Sequence, residues 1–199
     1  MKKNSLDAEY WNERYIEGST GWDIGYASPP IISYFSQVHD VNSKILIPGA
    51  GRGFEAVYLY KMGFKNIHIL DYASEVIEKF KVQHPDFPIN QIIEKDFFEV
   101  EEKFDFIVEQ TFFCALHPEQ RLHYLEKMES LLAKNGKLVG VLFANNFDKP
   151  GPPYGGTRSE YMSLFSKKFR LHTLDTCYNS IPERQGNELF FIFQKINNK

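Results

Sequence analysis

Lys44-Ile45-Leu46-Ile47 is a short apolar run that stops at Pro48-Gly49, and residues 49–53 then read Gly-Ala-Gly-Arg-Gly before a helix-like stretch begins. A strand that ends in a glycine-rich bend and feeds a helix is the opening unit of a parallel sheet, because parallel neighbours need a crossover between them. The same alternation recurs along the chain. Phe54 to Met62 reads as a helix stopped by Gly63, and Asn66 to Leu70 as a second strand ending at Asp71. Ser74 then N-caps a helix from Glu75 to Gln83. Ile89 to Ile93 is a weaker third strand and Phe104 to Val108 a fourth. Pro118 opens a helix to about Ala133, with Leu122, Leu125, Met128, Leu131 and Leu132 at helical spacing, and Lys137 to Phe143 is a fifth strand. Beyond a Pro/Gly-rich loop at 148–156 lie a helix at Arg158 to Phe165 and two strands, near Phe169 to Tyr178 and Glu188 to Gln194, with only a polar turn between them. The expected fold is α/β: a doubly wound, mostly parallel seven-stranded sheet with an antiparallel edge strand.

The 199 residues suit a single domain. Residues 1–40 form a lead-in rich in rings (Tyr10, Trp11, Tyr15, Trp22, Tyr26), expected to be irregular except for a short helix at Ile31 to Val38 behind Pro29-Pro30. A net charge of −3 with no Lys/Arg block speaks against nucleic acid as a partner. The two cysteines, Cys114 and Cys177, sit in no CxxC or Cys/His pattern, so neither a disulfide framework nor a metal site is expected. The N-terminal lysines precede no apolar segment, and no run has the length of a membrane span. The chain reads as a cytoplasmic protein, with no membrane partner and no indication of its oligomeric state.

Three features carry chemistry. Gly49-Ala50-Gly51-Arg52-Gly53 follows a strand and precedes a helix, where bare backbone permits a tight bend and close approach of a ligand. Its spacing is G-x-G-x-G, one position short of the dinucleotide fingerprint, and no Gly-Lys-Ser/Thr follows to make a phosphate loop. Taken alone it is equally a turn that merely closes the chain. Asp71, at the tip of the second strand, stands where one carboxylate accepts from both hydroxyls of a ribose; a helix-capping role is the plainer alternative. Asp96 and Phe97 follow the third strand, where a carboxylate can take the adenine amino hydrogen while the ring packs on its face. A surface Asp beside a core Phe would look the same. Together the glycine turn and the acid favour a nucleoside-type cofactor.

The chain resembles the thiopurine S-methyltransferase family and its thiol and halide methyltransferase relatives, within the class I methyltransferases. The resemblance lies in YWNERYIEGSTGWDIGYASPP (10–30), ILIPGAGRGFEAVYL (45–59), FDFIVEQTFFCALHPEQR (104–121) and GPPY (151–154), in order and over nearly the whole chain. Pro48 replaces the acid that many class I members carry before the first glycine, a replacement this subgroup tolerates. The resemblance implies S-adenosylmethionine as cofactor, held by Gly49 and Gly51 at its amino-acid end, by Asp71 at the ribose, and by Asp96 and Phe97 at adenine. It further implies that Trp11, Tyr15 and Trp22 belong to a lid segment over the cofactor. Rings suit a sulfonium, with cation–π contacts worth about 0.5–2 kcal/mol; rings that only glue the segment to the sheet are the alternative. Many relatives carry Trp where this chain has Tyr15.

Glu109, Gln110 and Thr111 follow the fourth strand, where such enzymes meet the methionine portion of the cofactor. Arg121 matches an arginine near the site's mouth and is a candidate on both the cofactor and the substrate side. Trp22 and Tyr154 are the other substrate-side candidates, toward a small thiol or halide acceptor. Displacement at a preactivated methyl needs alignment more than acid–base chemistry, and a thiol of pKa about 8.5 is already partly ionised at neutral pH. No residue is therefore assigned as catalytic. His117 reads as a helix-start residue, with assistance in deprotonation as the alternative, and Cys114 as a packed thiol. An O- or N-methyltransferase and a non-catalytic cofactor-binding domain are the competing functions; the glycine spacing disfavours an oxidoreductase.

Overall fold

The computed structural model describes residues 6–196. Seven strands form one sheet in the order β3-β2-β1-β4-β5-β7-β6. They are β1 (Ile45–Pro48), β2 (Ile67–Asp71), β3 (Ile92–Glu94), β4 (Phe104–Glu109), β5 (Leu132–Phe143), β6 (Phe169–Thr176) and β7 (Glu188–Lys195). The pairs from β3 through β5 are parallel, while β7 is antiparallel to both β5 and β6. The antiparallel pairing expected at the edge is present, with β7 inserted one strand in from β6. Among the described residues the α-helices are α1 (Ala8–Glu17), α2 (Pro29–Phe35), α3 (Phe54–Lys61), α4 (Ser74–Gln83), α5 (Arg121–Leu131) and α6 (Arg158–Phe165). None of them is long and apolar enough to cross a membrane.

Alternating side chains of the central strands enter two separate cores, as a sheet covered on both faces requires. Ile45 and Ile47 of β1 join Ile67 and Ile69 of β2 against Phe35 of α2, Leu59 of α3 and Phe80 of α4. Leu46, Leu70 and Ile107 belong to the other core, with Tyr124 and Met128 of α5, Phe165 of α6, and Phe191 and Phe193 of β7. Burying each such phenylalanine removes apolar surface worth roughly 1.5–3 kcal/mol from water.

Several local expectations need correction. The lead-in is not irregular: α1 forms there, N-capped by Asp7, which accepts from the Tyr10 amide at 3.1 Å, and stopped by Gly18 at φ 71°. No residue of α1 is fully buried, and the segment is polar overall. Ser74 begins α4 without capping it; the cap is imported, since the Glu75 amide donates to Oδ1 of Asn12 at 3.0 Å. Residues Ile89–Gln91 form a 3₁₀ turn, and β3 begins only at Ile92. Pro118 likewise starts a 3₁₀ turn, with α5 beginning at Arg121, and β5 starts earlier than expected, at Leu132.

Candidate active site

The bend between β1 and α3 is built from backbone that only glycine adopts readily: Gly49 at φ 58°, Gly51 at 53° and Gly53 at 68°. Asp71 braces it. Its Oδ2 accepts from the Gly51 amide and its Oδ1 from the Ala73 amide, both at 3.0 Å, so one buried carboxylate ties the bend to the tip of β2. Burial raises the carboxyl above the usual range, and the backbone donors pull it back. Each oxygen retains lone-pair capacity for a further donor. Asp71 thus fills a local bracing role alongside any role toward a ligand.

The N-terminal segment lies over this bend. Trp22 makes edge contacts with Trp11 (centroids 5.3 Å apart) and Tyr15 (5.8 Å). The Tyr15 hydroxyl lies 2.9 Å from where a Cβ on Gly51 would sit, so the phenol comes directly onto the bare turn. Burial, and the negative charge of Asp71, push that phenol's pKa far up. Polar ties hold the segment down, among them Asn12 of α1, which accepts from the Glu75 amide of α4, Asp23 with Arg52 at 3.1 Å, and the Trp22 carbonyl, which accepts from Arg184 at 2.6 Å. Trp11, Tyr15 and Trp22, expected together from the sequence, are brought together.

Beyond the tip of β3, Asp96 is exposed and its Oδ1 accepts from the Phe98 amide at 2.9 Å, leaving the second oxygen available to a ligand. Phe97 is a core residue, 4% exposed and packed against Phe98, Phe112 and Tyr124. Of the residues after β4, Thr111 takes φ 59°, a left-handed conformation uncommon for a β-branched residue, and Gln110 Oε1 is buried without a partner. The Glu109 side chain turns inward: its carboxylate accepts from the Phe112 and Phe113 amides and from the Tyr124 hydroxyl. What Glu109 can offer a cofactor is thus its backbone. Phe112, which the sequence did not single out, lies on the glycine turn; a Cβ on Gly49 would come 2.5 Å from its ring.

On the far side, Arg121 donates to the Gly155 carbonyl at 2.6 Å and lies over the Phe113 ring, pinning the Pro/Gly loop to the start of α5. Tyr154 donates its amide to the Cys114 carbonyl, and its ring meets the edge of His117. His117 caps the 3₁₀ turn that follows it, accepting from the Glu119 amide at 3.5 Å. Cys114 is buried, donates to the Thr111 carbonyl at 3.2 Å, and has its thiol pKa raised by burial, which keeps it unreactive. A cavity of about 10 Å³, room for one water-sized group, is lined in part by Thr111, Cys114, Phe143 and Glu188.

Arg184, in the turn between β6 and β7, was not legible as a site residue. Its guanidinium pairs with Glu188 at 3.6 Å, lies over Phe143 and holds Trp22. Gln110 Oε1, Arg121 Nε, Asn145 Oδ1 and Ser180 Oγ are buried without hydrogen-bond partners, and all four belong to the loops and the helix start at this carboxyl end of the sheet. Two further atoms of this kind among the described residues, His68 Nδ1 and Gln91 Oε1, lie elsewhere; buried polar groups are normally satisfied, by protein, water or ligand.

The fold agrees with what the chain is similar to. The family model for thiopurine S-methyltransferase matches residues 6–196. A probable thiol methyltransferase 2 of Arabidopsis thaliana is 32% identical over 168 residues, covering 81% of this chain and 72% of that protein. Thiocyanate methyltransferase 1 of Brassica oleracea is 28% identical over 193 residues, covering 94% and 85%. Among solved structures, the 1,6-didemethyltoxoflavin-N1-methyltransferase of Burkholderia thailandensis, with S-adenosylhomocysteine bound, superposes with a TM-score of 0.77 at 18% identity, over 97% of this chain and 88% of that one. The chain belongs to the thiopurine S-methyltransferase family and is an S-adenosylmethionine-dependent methyltransferase.

Proposed function

We propose that the enzyme methylates a small thiol, or a halide of similar size, in one domain that works in the cytoplasm. The observation that carries this reading is the cluster of Trp11, Tyr15 and Trp22 pinned over a glycine turn that Asp71 braces. The residues fit S-adenosylmethionine: bare backbone at Gly49 and Gly51, a buried carboxylate with spare lone pairs at Asp71, an available oxygen on Asp96 and an unpaired acceptor on Gln110. When bound, the cofactor supplies a methyl group already activated by the sulfonium charge. The protein's own work is then to hold, align and keep dry. Gly49, Gly51, Asp71 and Asp96 would hold the nucleoside and amino-acid portions, with the backbone of Glu109, Gln110 and Thr111 beside them and Phe97 supporting the adenine wall from the core. Trp11, Tyr15 and Trp22 would exclude water and face the sulfonium.

The acceptor would enter between Trp22, the Pro/Gly loop with Tyr154, and the turn carrying Arg184, with Arg121 fixing that loop in place. A thiol is partly ionised near neutrality and a halide fully so, which removes the need for a dedicated base. Calorimetry with S-adenosylhomocysteine, with NADH as a control, tests the cofactor site; labelled S-adenosylmethionine offered with a panel of thiols and halides tests the acceptor. Binding of S-adenosylhomocysteine without NADH binding, together with label in a small volatile or thioether product, is the expected result. No transfer to any member of the panel would overturn the acceptor assignment.

A further inference from the structure

Glu109 ends β4 with a side chain that is 1% exposed. Its Oε1 accepts from both the Phe112 and Phe113 amides, each at 2.8 Å, and its Oε2 from the Tyr124 hydroxyl at 2.6 Å. Between the strand and those amides the chain passes through Thr111 in its left-handed conformation, which persists only under outside restraint. Beyond it, the Phe112 ring lies against Gly49 and makes an edge contact with Phe97 at 5.1 Å. The strand tip has no slack to move: Glu109 is in register with Gly140 of β5, and a Cβ on that glycine would come 2.0 Å from the Glu109 carbonyl oxygen.

We propose that Glu109 and Tyr124 are positioning residues: by gripping the loop at 110–113 they fix the Phe112 ring on Gly49 and so set the surface of the glycine turn that receives the cofactor. This rests on the cofactor site proposed above. It differs from what the family resemblance implies for Glu109, which is a contact with the cofactor. The two roles make opposite demands on chemistry. A positioning role needs an acceptor of carboxylate shape, which the amide oxygen of Gln provides; a side-chain contact with the ammonium of the cofactor's amino-acid end, which S-adenosylhomocysteine retains, needs the charge.

The test compares Glu109→Gln, Glu109→Ala, Phe112→Ala and the Glu109→Ala/Phe112→Ala double variant by calorimetry with S-adenosylhomocysteine, alongside hydrogen exchange of the Phe112 and Phe113 amides in protein without added cofactor. Glu109→Gln is expected to bind within about threefold of the native protein and to keep both amides protected. Glu109→Ala is expected to lose that protection and to bind about tenfold or more weakly. Phe112→Ala should bind as weakly, and the double variant no more weakly than either single one, because both act through the same ring. The proposal is overturned if Glu109→Gln binds as poorly as Glu109→Ala with its amides still protected, or if the losses of the two alanine variants add. Should Glu109→Ala not fold, the pairing of affinity with amide protection in Glu109→Gln decides the matter. Failure of the native protein itself to bind would instead strike at the cofactor site.

Discussion

Replacing Glu109 with Gln should change how stability depends on pH. Burial pushes this carboxyl up to about 7 from an ordinary value of 4.5, against hydrogen bonds from Tyr124, Phe113 and Phe112 that pull it down. The folded chain therefore holds a proton that the unfolded chain releases. The favourable contribution of that proton is complete below 4.5, is lost as the pH climbs toward about 7, and changes no further above it. The whole change amounts to about 3 kcal/mol, at roughly 1.4 kcal/mol per pH unit. Asp71 and Glu55 are also raised by burial and push in the same direction, so the native curve alone cannot isolate Glu109. The difference between native protein and Glu109→Gln can. Urea unfolding from about pH 5 to about pH 8 should give a difference that moves by about 2–3 kcal/mol toward the variant across the lower part of the range and then levels. A difference that stays flat over the whole range would refute the reasoning.

Other substitutions probe the frame of the site. Gly140→Ala forces a Cβ onto the Glu109 carbonyl and should lower the unfolding free energy by about 2 kcal/mol or more in urea, even though Ala is tolerated in many strands. Asn12→Ala removes the imported cap of α4 and should reduce stability by about 1 kcal/mol, with faster amide exchange at Glu75 and throughout α1. Arg184→Met leaves the Glu188 carboxylate buried without its partner and frees the Trp22 carbonyl; about 3 kcal/mol of stability should go, with weaker S-adenosylhomocysteine binding in calorimetry.

Much of this architecture is legible in short windows of sequence. β1, β2 and β4 are apolar runs that stop at a turn or an acid, and the bend announces itself by three glycines in five residues, each of which takes positive φ in the fold. Asp71 could be placed for the same reason, at the tip of a strand next to that bend. What escaped has long-range causes. α1 buries no residue fully and is polar overall, and its Asn12 reaches Ser74 on a helix 62 residues later. Arg184 meets Trp22 across 162 residues. The inward turn of Glu109 depends on a Tyr in the next long helix, and position alone does not say which way a side chain rotates. Phe97 was expected beside adenine, yet the core around Tyr124 claims most of its surface.

Insertion of β7 between β5 and β6 leaves both of those strands incomplete until β7 is in place. Among the described residues β6 pairs with no strand other than β7, and β7 follows it in the chain. Before β7 docks, β6 therefore has no strand partner and β5 has one flank unpaired. Until Glu188–Lys195 docks during folding, two strand edges are open to pairing with other chains, so weakening β7 exposes the folding chain to aggregation.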